Sequence, residues 1–427
     1  MRVLTGSNAP WGNTGYSTET RGLLRGIRDL GYEVACVAWW GLEGGSITWE
    51  GIPIFPKHLD GFGNDAMPYH AKRWRADILI TLIDLWVLDT RLGSLGPTRW
   101  TPWFPIDHAD PIPGAIAERF PHAHRLLTYS LWAEKLVKEH EGGKYADKVD
   151  YLPHGIDAAA LRPSTPDEKR AARKRFYPDW PDNAYVFGMV AANKGYPARK
   201  SFWEVMEAFA RFAAIHPEAR LYLHSLVGSE FRGPNLSEMA HHYKVVDKVR
   251  FALPPMLLAG DYDEALMREL YATFDVLLAP SQGEGFCLPL AEAQACGVPV
   301  ITTDHSAMTE VCGSGWRVPG LRTMPSLIWG RFAEADVEGI YHAMAEAYSR
   351  PPMLVEAMAT AARQFALRYD WPVVIRDYWA PWLARMDAGR RERALDLEWQ
   401  AGRYQPWPEL AGLPQQNGRE PALVGVG

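Results

Sequence analysis

Cysteine is scarce in this chain: Cys36, Cys287, Cys296 and Cys312 are the only four in 427 residues, and none are paired in C-x-x-C spacing. So few thiols exclude a disulfide framework and a cysteine-built zinc site, and they fit a protein of the reducing cytoplasm. Long apolar runs are missing too. No stretch of 18 apolar residues occurs, and the opening MRVLTGSNAPWG lacks the apolar segment of a signal peptide, so a soluble chain with no spanning helix is expected. Positive charge is not in excess, with 45 Lys+Arg against 51 Asp+Glu and a net charge of −6. Without a basic patch of useful length, stable nucleic-acid binding through phosphates is not expected. The lack of a basic amphipathic helix disfavours a membrane-lipid surface. Neither low-complexity segments nor repeats with periods of 20–50 residues are visible, which excludes a solenoid.

What is present is a large apolar fraction, 47% of the chain, against 22% charged residues. A chain of this length and composition is globular and long enough for two domains. Tryptophan is frequent, at 18 residues. Trp11, Trp39, Trp40, Trp86 and Trp103 all lie in the first third, where they either pack a core or line a sugar pocket.

Short apolar runs alternate with helical periodicity from the first residue. RVLTGS reads as a strand, 18–30 as a helix closed by Gly31, and EVACVAWW as the next strand. Further strands are expected at 77–82, 100–107, 125–130 and 149–153, while 38–76, rich in Gly, Pro and aromatics, resists ordering. The segment HGIDAAALRPSTPDEKR (154–170) has the composition of a linker. Alternation then restarts, with strands at 184–191, 220–226, 248–253, 275–280 and 298–303 and helices at 200–215 and 263–273. The fold class is therefore α/β, two Rossmann-like doubly wound domains facing across a cleft: 1–157 and 158–370. Helices run from about 333 to 388, those of 371–390 crossing back to the first domain, before a loosely ordered tail over 391–427.

The stretch SQGEGFCLPLAEAQACGVPVITTD (281–304) carries the chemistry. It opens at the carboxyl end of a predicted parallel strand, where ligands sit in open α/β sheets, and Pro289 suits the first turn of the helix that follows. Ser281, Gly283 and Gly285 let the backbone approach a ligand, and the N–H groups of Phe286, Cys287 and Leu288 can face an anion such as a diphosphate. Glu284 in the loop and Glu292, about 5 Å into the helix, place two acceptors at two depths, which suits a sugar and a ribose. The plainer reading makes Glu284 a solvated loop acid and Glu292 a favourable charge near a helix start.

This stretch resembles the E-x7-E signature of retaining family 4 glycosyltransferases of the GT-B fold, with Glu284 and Glu292 matching its acids and Cys287 standing where the family has glycine. The resemblance extends to ANKGYPARKSFWEVMEAFA (192–210), YLPHGID (151–157) and GNTGYSTETRGLLRGIRDLGYEV (12–34), touching most of residues 1–375. It implies that Glu284 contacts the donor sugar and Glu292 the nucleotide ribose. Arg199 and Lys200 would neutralise the diphosphate, and Gly15 would be the phosphate-facing glycine of the first domain. The donor would be a UDP- or GDP-linked sugar, used as co-substrate with no cofactor or metal, and the acceptor an unknown hydroxyl compound. His108, in PIDHADPIP (105–113), falls where the family often has a histidine near the reacting sugar; otherwise it is a turn histidine.

DYD (261–263), HAH (122–124) and HH (241–242) lack an accompanying metal-ligand set. Glu310 resembles a family position near the domain interface, or is a helix-start acid. Two other functions remain open on sequence: a sugar-nucleotide epimerase of the same fold, for which no second acid–base motif is found, and a catalytically silent sugar-nucleotide or glycan-binding protein.

Overall fold

The computed structural model describes residues 1–391 apart from 196–197, 230 and 327. Among them the first lobe is built on an eight-stranded sheet in the order β3-β4-β2-β1-β5-β6-β7-β8. Its strands are β1 (Arg2–Asn8), β2 (Glu33–Trp40), β3 (Ile47–Trp49), β4 (Ile52–Pro56), β5 (Ile78–Leu82), β6 (Arg99–Phe104), β7 (Leu126–Thr128) and β8 (Val149–Tyr151). All pair in parallel except β3, which runs antiparallel to β4. Helices α1 (Gly15–Asp29), α2 (Ala66–Trp74), α3 (Gly114–Ala117) and α4 (Leu131–Glu139) cover it. β1 is buried along nearly its whole length, as a central parallel strand covered on both faces must be.

The second lobe has a six-stranded parallel sheet in the order β11-β10-β9-β12-β13-β14. Those strands are β9 (Tyr185–Val190), β10 (Ala219–His224), β11 (Val249–Phe251), β12 (Val276–Ala279), β13 (Val300–Thr303) and β14 (Gly315–Val318). A separate antiparallel hairpin follows, β15 (Gly320–Pro325) and β16 (Arg331–Ala335). The helices are α5 (Pro166–Phe176), α6 (Phe202–Ile215), α7 (Leu236–His242), α8 (Pro254–Ala259), α9 (Glu264–Thr273), α10 (Leu288–Ala295), α11 (Met308–Val311), α12 (Val337–Ser349) and α13 (Pro352–Ala366).

Local chemistry explains where several helices begin. Thr14 caps α1, its side chain accepting from the Ser17 N–H at 3.1 Å. Thr165 and Glu168 form a reciprocal capping box on α5, with Pro166 in the first turn. The stretch expected to be linker up to residue 170 is therefore helical from Pro166 onward, because that box satisfies the orphan donors of the first turn. The stretch from 333, expected to be helical, begins instead within β16, which pairs with β15 and whose Ala333 N–H donates to the Gln282 carbonyl.

After α13 the chain returns to the first lobe through α14 (Trp371–Val374), a π-helical turn (Ile375–Trp379) and α15 (Ala380–Arg391). Trp371 lies against Gly22 of α1 and Gly155, where a Cβ would stand 1.9 and 2.4 Å from the indole. Trp379 meets Trp103 edge-on at 5.1 Å, and the Trp382 N–H donates to Asp150 at 3.0 Å. Arg363 on α13 donates to the carbonyls of Ala158, Leu161 and Ala295, tying the crossover segment to the end of α10. The tail expected over 391–427 lies, beyond Arg391, outside the described residues.

Candidate active site

The cleft lies between the carboxyl ends of the two sheets. From the second lobe, the 281–287 loop links β12 to α10 and brings Glu284 into a buried position beside the segment that precedes α6. Lys200 donates to one Glu284 oxygen, and Arg199 lies 3.3 Å from the other. Arg199 also donates to the Gly283 carbonyl and stands 3.6 Å from Asp107 of the first lobe. Ser281 hydrogen-bonds the Glu284 carboxylate, and the Glu284 N–H donates to Ser306 at 2.9 Å. Burial alone would raise the Glu284 carboxyl, but Lys200 and Arg199 outweigh it and hold it below the usual range. For Arg199, too, burial opposes the charge, and Glu284, Asp107 and Asp84 reverse it, so the guanidinium is held more firmly protonated.

Cys287 takes a left-handed conformation, φ 77° and ψ 69°, immediately before α10. A glycine would occupy it without strain, which is why a non-glycine residue there stands out. Leu288 opens α10 and faces the first lobe: a Cβ on Gly15 would be 3.4 Å from its Cδ1. The amino ends of α1 and α10 thus confront each other across the cleft, each presenting the positive end of its dipole.

Glu292 sits on the fifth residue of α10, a turn deeper than the loop, and accepts from the Tyr271 hydroxyl at 2.6 Å. Burial, with Glu19 and Glu264 adding their charge, pushes its carboxyl up to about 7 against the opposing Tyr271 hydrogen bond. The Phe286 ring turns away from the cleft into a cluster with His154 and Tyr369, at 5.3 and 5.0 Å between centroids, leaving only its main chain near the loop surface.

The clearance at the two loop glycines is used by the first lobe. A Cβ on Gly283 would lie 1.9 Å from the Asp107 carbonyl oxygen, and one on Gly285 would lie 2.5 Å from Pro105 Cβ. The lobes are closed on each other here. Further contacts join them: Glu310 of α11 accepts from the Leu131 and Trp132 N–H groups at 2.8 and 3.1 Å, capping α4 from the opposite lobe. Asn13 donates to the Leu257 carbonyl at 2.8 Å, and Arg21 pairs with Glu264 at 3.3 Å.

His108 comes from the loop after β6, is 1% exposed, and holds Asp107 through Nδ1 at 3.2 Å. Burial would raise Asp107, but that hydrogen bond and Arg199 keep it below the usual carboxylate range. Sequence reading missed its neighbour Asp84, pushed up to about 6 by burial and then by Asp107. Asp84 follows β5 as Asp107 follows β6, so the rule that cleft residues sit at strand carboxyl ends marks both. Tyr16 and Tyr129, hydrogen-bonded to each other beside Asp84, were likewise not singled out. Among the described residues no group of three or more His, Cys, Asp or Glu could hold a metal ion, and no helix is long and apolar enough to cross a membrane.

Residues 185–349, which include the 281–287 loop, Glu292 and the Arg199–Lys200 pair, match the family described as glycosyl transferases group 1. That match lies within the second lobe and spans less than half of the chain. The D-inositol 3-phosphate glycosyltransferase of Stackebrandtia nassauensis is 32% identical over 175 residues, covering 40% of this chain and 36% of that relative. The lipopolysaccharide core biosynthesis mannosyltransferase LpsB of Rhizobium meliloti is 26% identical, covering 56% of this chain and 65% of the relative. The chain thus matches well under half the length of the first of these curated relatives. Across both lobes, a sucrose-phosphate synthase from Thermosynechococcus elongatus superposes with a TM-score of 0.67 at 14% identity, covering 91% of this chain and all of that one. Anabaena HepE in complex with UDP and glucose gives 0.64 at 13% identity, covering 90% and 100%. These likenesses establish the GT-B fold for the two lobes together.

Proposed function

We propose that the chain is a retaining glycosyltransferase that moves a sugar from a UDP- or GDP-activated donor to a hydroxyl acceptor, without a metal ion. One observation carries the reading: the amino ends of α1 and α10 face each other at Gly15 and Leu288, with the Arg199–Lys200–Glu284 cluster beside them. Two helix amino ends and two cations at one place suit a diphosphate and the charge that grows on it as it departs.

In this proposal the diphosphate lies between Gly15 and the 286–288 main chain, and Glu292 receives the ribose hydroxyls. Glu284 orients the sugar, while its ion pairs keep it ionised and accepting. The acceptor oxygen bonds to the anomeric carbon on the face from which the nucleoside diphosphate leaves, so configuration is retained. His108 lies beside the reacting sugar as the first lobe's polar contact. Catalysis then rests on positioning and on electrostatic stabilisation of the leaving group, the two lobes excluding water. The four cysteines are buried free thiols, in keeping with work in the cytoplasm.

The test mixes the protein with UDP- and GDP-linked sugars and follows nucleotide release. Slow hydrolysis that disappears in Glu284→Ala is expected; interconversion of sugars without release would replace this reading with an epimerase, and binding without turnover toward any acceptor with a silent binder.

A further inference from the structure

Two buried imidazoles come together from opposite lobes, each with a ring nitrogen to spare. His108 uses Nδ1 on Asp107, and its buried Nε2 has no hydrogen-bond partner among the described residues. His305, two residues past β13, is 7% exposed; its ring bonds the main chain of Arg331, and its Nε2 is likewise unpartnered among the described residues. Trp132 joins them, its N–H donating to the His108 carbonyl at 3.0 Å and its ring meeting that of His305 at 5.4 Å between centroids. A buried polar atom left unpaired is costly, so two in one place ask for a ligand that supplies hydrogen-bonding groups to both.

The β15–β16 hairpin roofs this place. A two-stranded ribbon is marginal by itself, and this one is held from both lobes. The Arg331 carbonyl accepts from the Ala109 N–H of the first lobe at 2.8 Å, and the Ala333 N–H donates to the Gln282 carbonyl of the site loop at 2.8 Å. Gly330 is obligatory in this packing, since a Cβ there would stand 2.7 Å from His108 Cγ. Phe332 lies 5.8 Å from the Arg199 guanidinium. The hairpin therefore packs on His108, on the Arg199 guanidinium and on Gly283 of the site loop, with Arg331 beside the His305 ring.

We propose that His305, held under the β15–β16 hairpin, is a further sugar-binding residue, which together with His108 hydrogen-bonds hydroxyls of the sugar being transferred. This rests on the glycosyltransferase reading above. A neutral polyol suits the two nitrogens better than an anion does. Burial lowers the His305 pKa, so the ring is uncharged at neutral pH, and Asp107 lies nearby. An uncharged imidazole can donate or accept according to tautomer, as a hydroxyl can.

The experiment is calorimetric titration of the full chain with UDP, GDP, UDP-glucose and GDP-mannose, for wild type, His305→Leu and His305→Gln. His305→Leu is expected to bind the nucleoside diphosphate within twofold of wild type while losing five- to tenfold for the matching sugar nucleotide, and His305→Gln to recover most of that loss. Gly330→Ala, which displaces His108, should show the same selective loss and carries the test if His305→Leu fails to fold. An unchanged ratio of the two affinities in every folded variant, or an equal weakening of both ligands, overturns the inference. Failure of wild type to bind any of the four overturns the glycosyltransferase reading itself.

Discussion

At the scale of single residues, the site is defined by how its charges are balanced. Glu284 is ionised because two cations outweigh its burial, so Glu284→Gln should abolish nucleotide release from the sugar nucleotide. It should also lower the melting temperature, since Arg199 and Lys200 keep their charge and lose their partner. Both cations retain some solvent, so the destabilisation is expected at about 2 kcal/mol, below the range for a fully buried pair. Glu292 behaves oppositely. Its folded pKa, near 7, lies above the usual unfolded value of about 4.3. Between those values the folded chain holds a proton that the unfolded chain has released, so this contribution to stability is complete below the window and falls as pH rises through it. Thermal melts from pH 4 to 8 should show that decline in wild type and a flatter profile in Glu292→Gln. Cys287 provides a third check. At its positive φ, Cys287→Gly should leave the melting temperature unchanged or raise it, whereas Cys287→Val, β-branched, should lower it by several degrees, the left-handed backbone costing about 1–2 kcal/mol.

The sequence made these residues legible because the 281–304 stretch packs strand end, loop, proline and helix into one continuous segment. Asp84 and His305 were less visible, since each is a lone polar residue just past a strand with no local pattern to mark it, and only the sheet order brings them beside Glu284 and His108.

At the scale of elements, buried parallel strands announce themselves as apolar runs, and the strands of both central sheets other than β3, β4 and β14 lie where those runs are, their ends moved by up to three residues. β3, β4, β14 and the β15–β16 hairpin were not legible. They are short and partly exposed, and the hairpin strands are held by contacts with loops distant in sequence rather than by a hydrophobic pattern of their own. Glu310 acts between elements, capping α4 from across the cleft. Its replacement by Ala should cost about 1 kcal/mol and favour lobe opening, visible as a larger radius of gyration in solution scattering and a raised donor KM. Gly22→Ala acts at the other junction, forcing a methyl into Trp371; a loss of about 1–3 kcal/mol is expected from overpacking, measurable by chemical denaturation.

At the scale of the whole molecule, the first lobe is finished by residues 371–391, which come after the whole second lobe in the sequence. Trp379 and Trp382 are almost wholly buried, and covering two such rings corresponds to roughly 8–12 kcal/mol of apolar burial. That is comparable to the entire net stability of a domain. This return strand of chain also has a consequence for birth on the ribosome. The face of the first lobe that holds Trp103 and Gly155 must wait, uncovered, while everything from the crossover to Trp371 is translated, an interval of roughly 10 to 40 s at ordinary elongation speeds. The amino-terminal half cannot mature as an independent unit during synthesis, and a nascent chain arrested before Trp371 presents chaperones with an open aromatic surface.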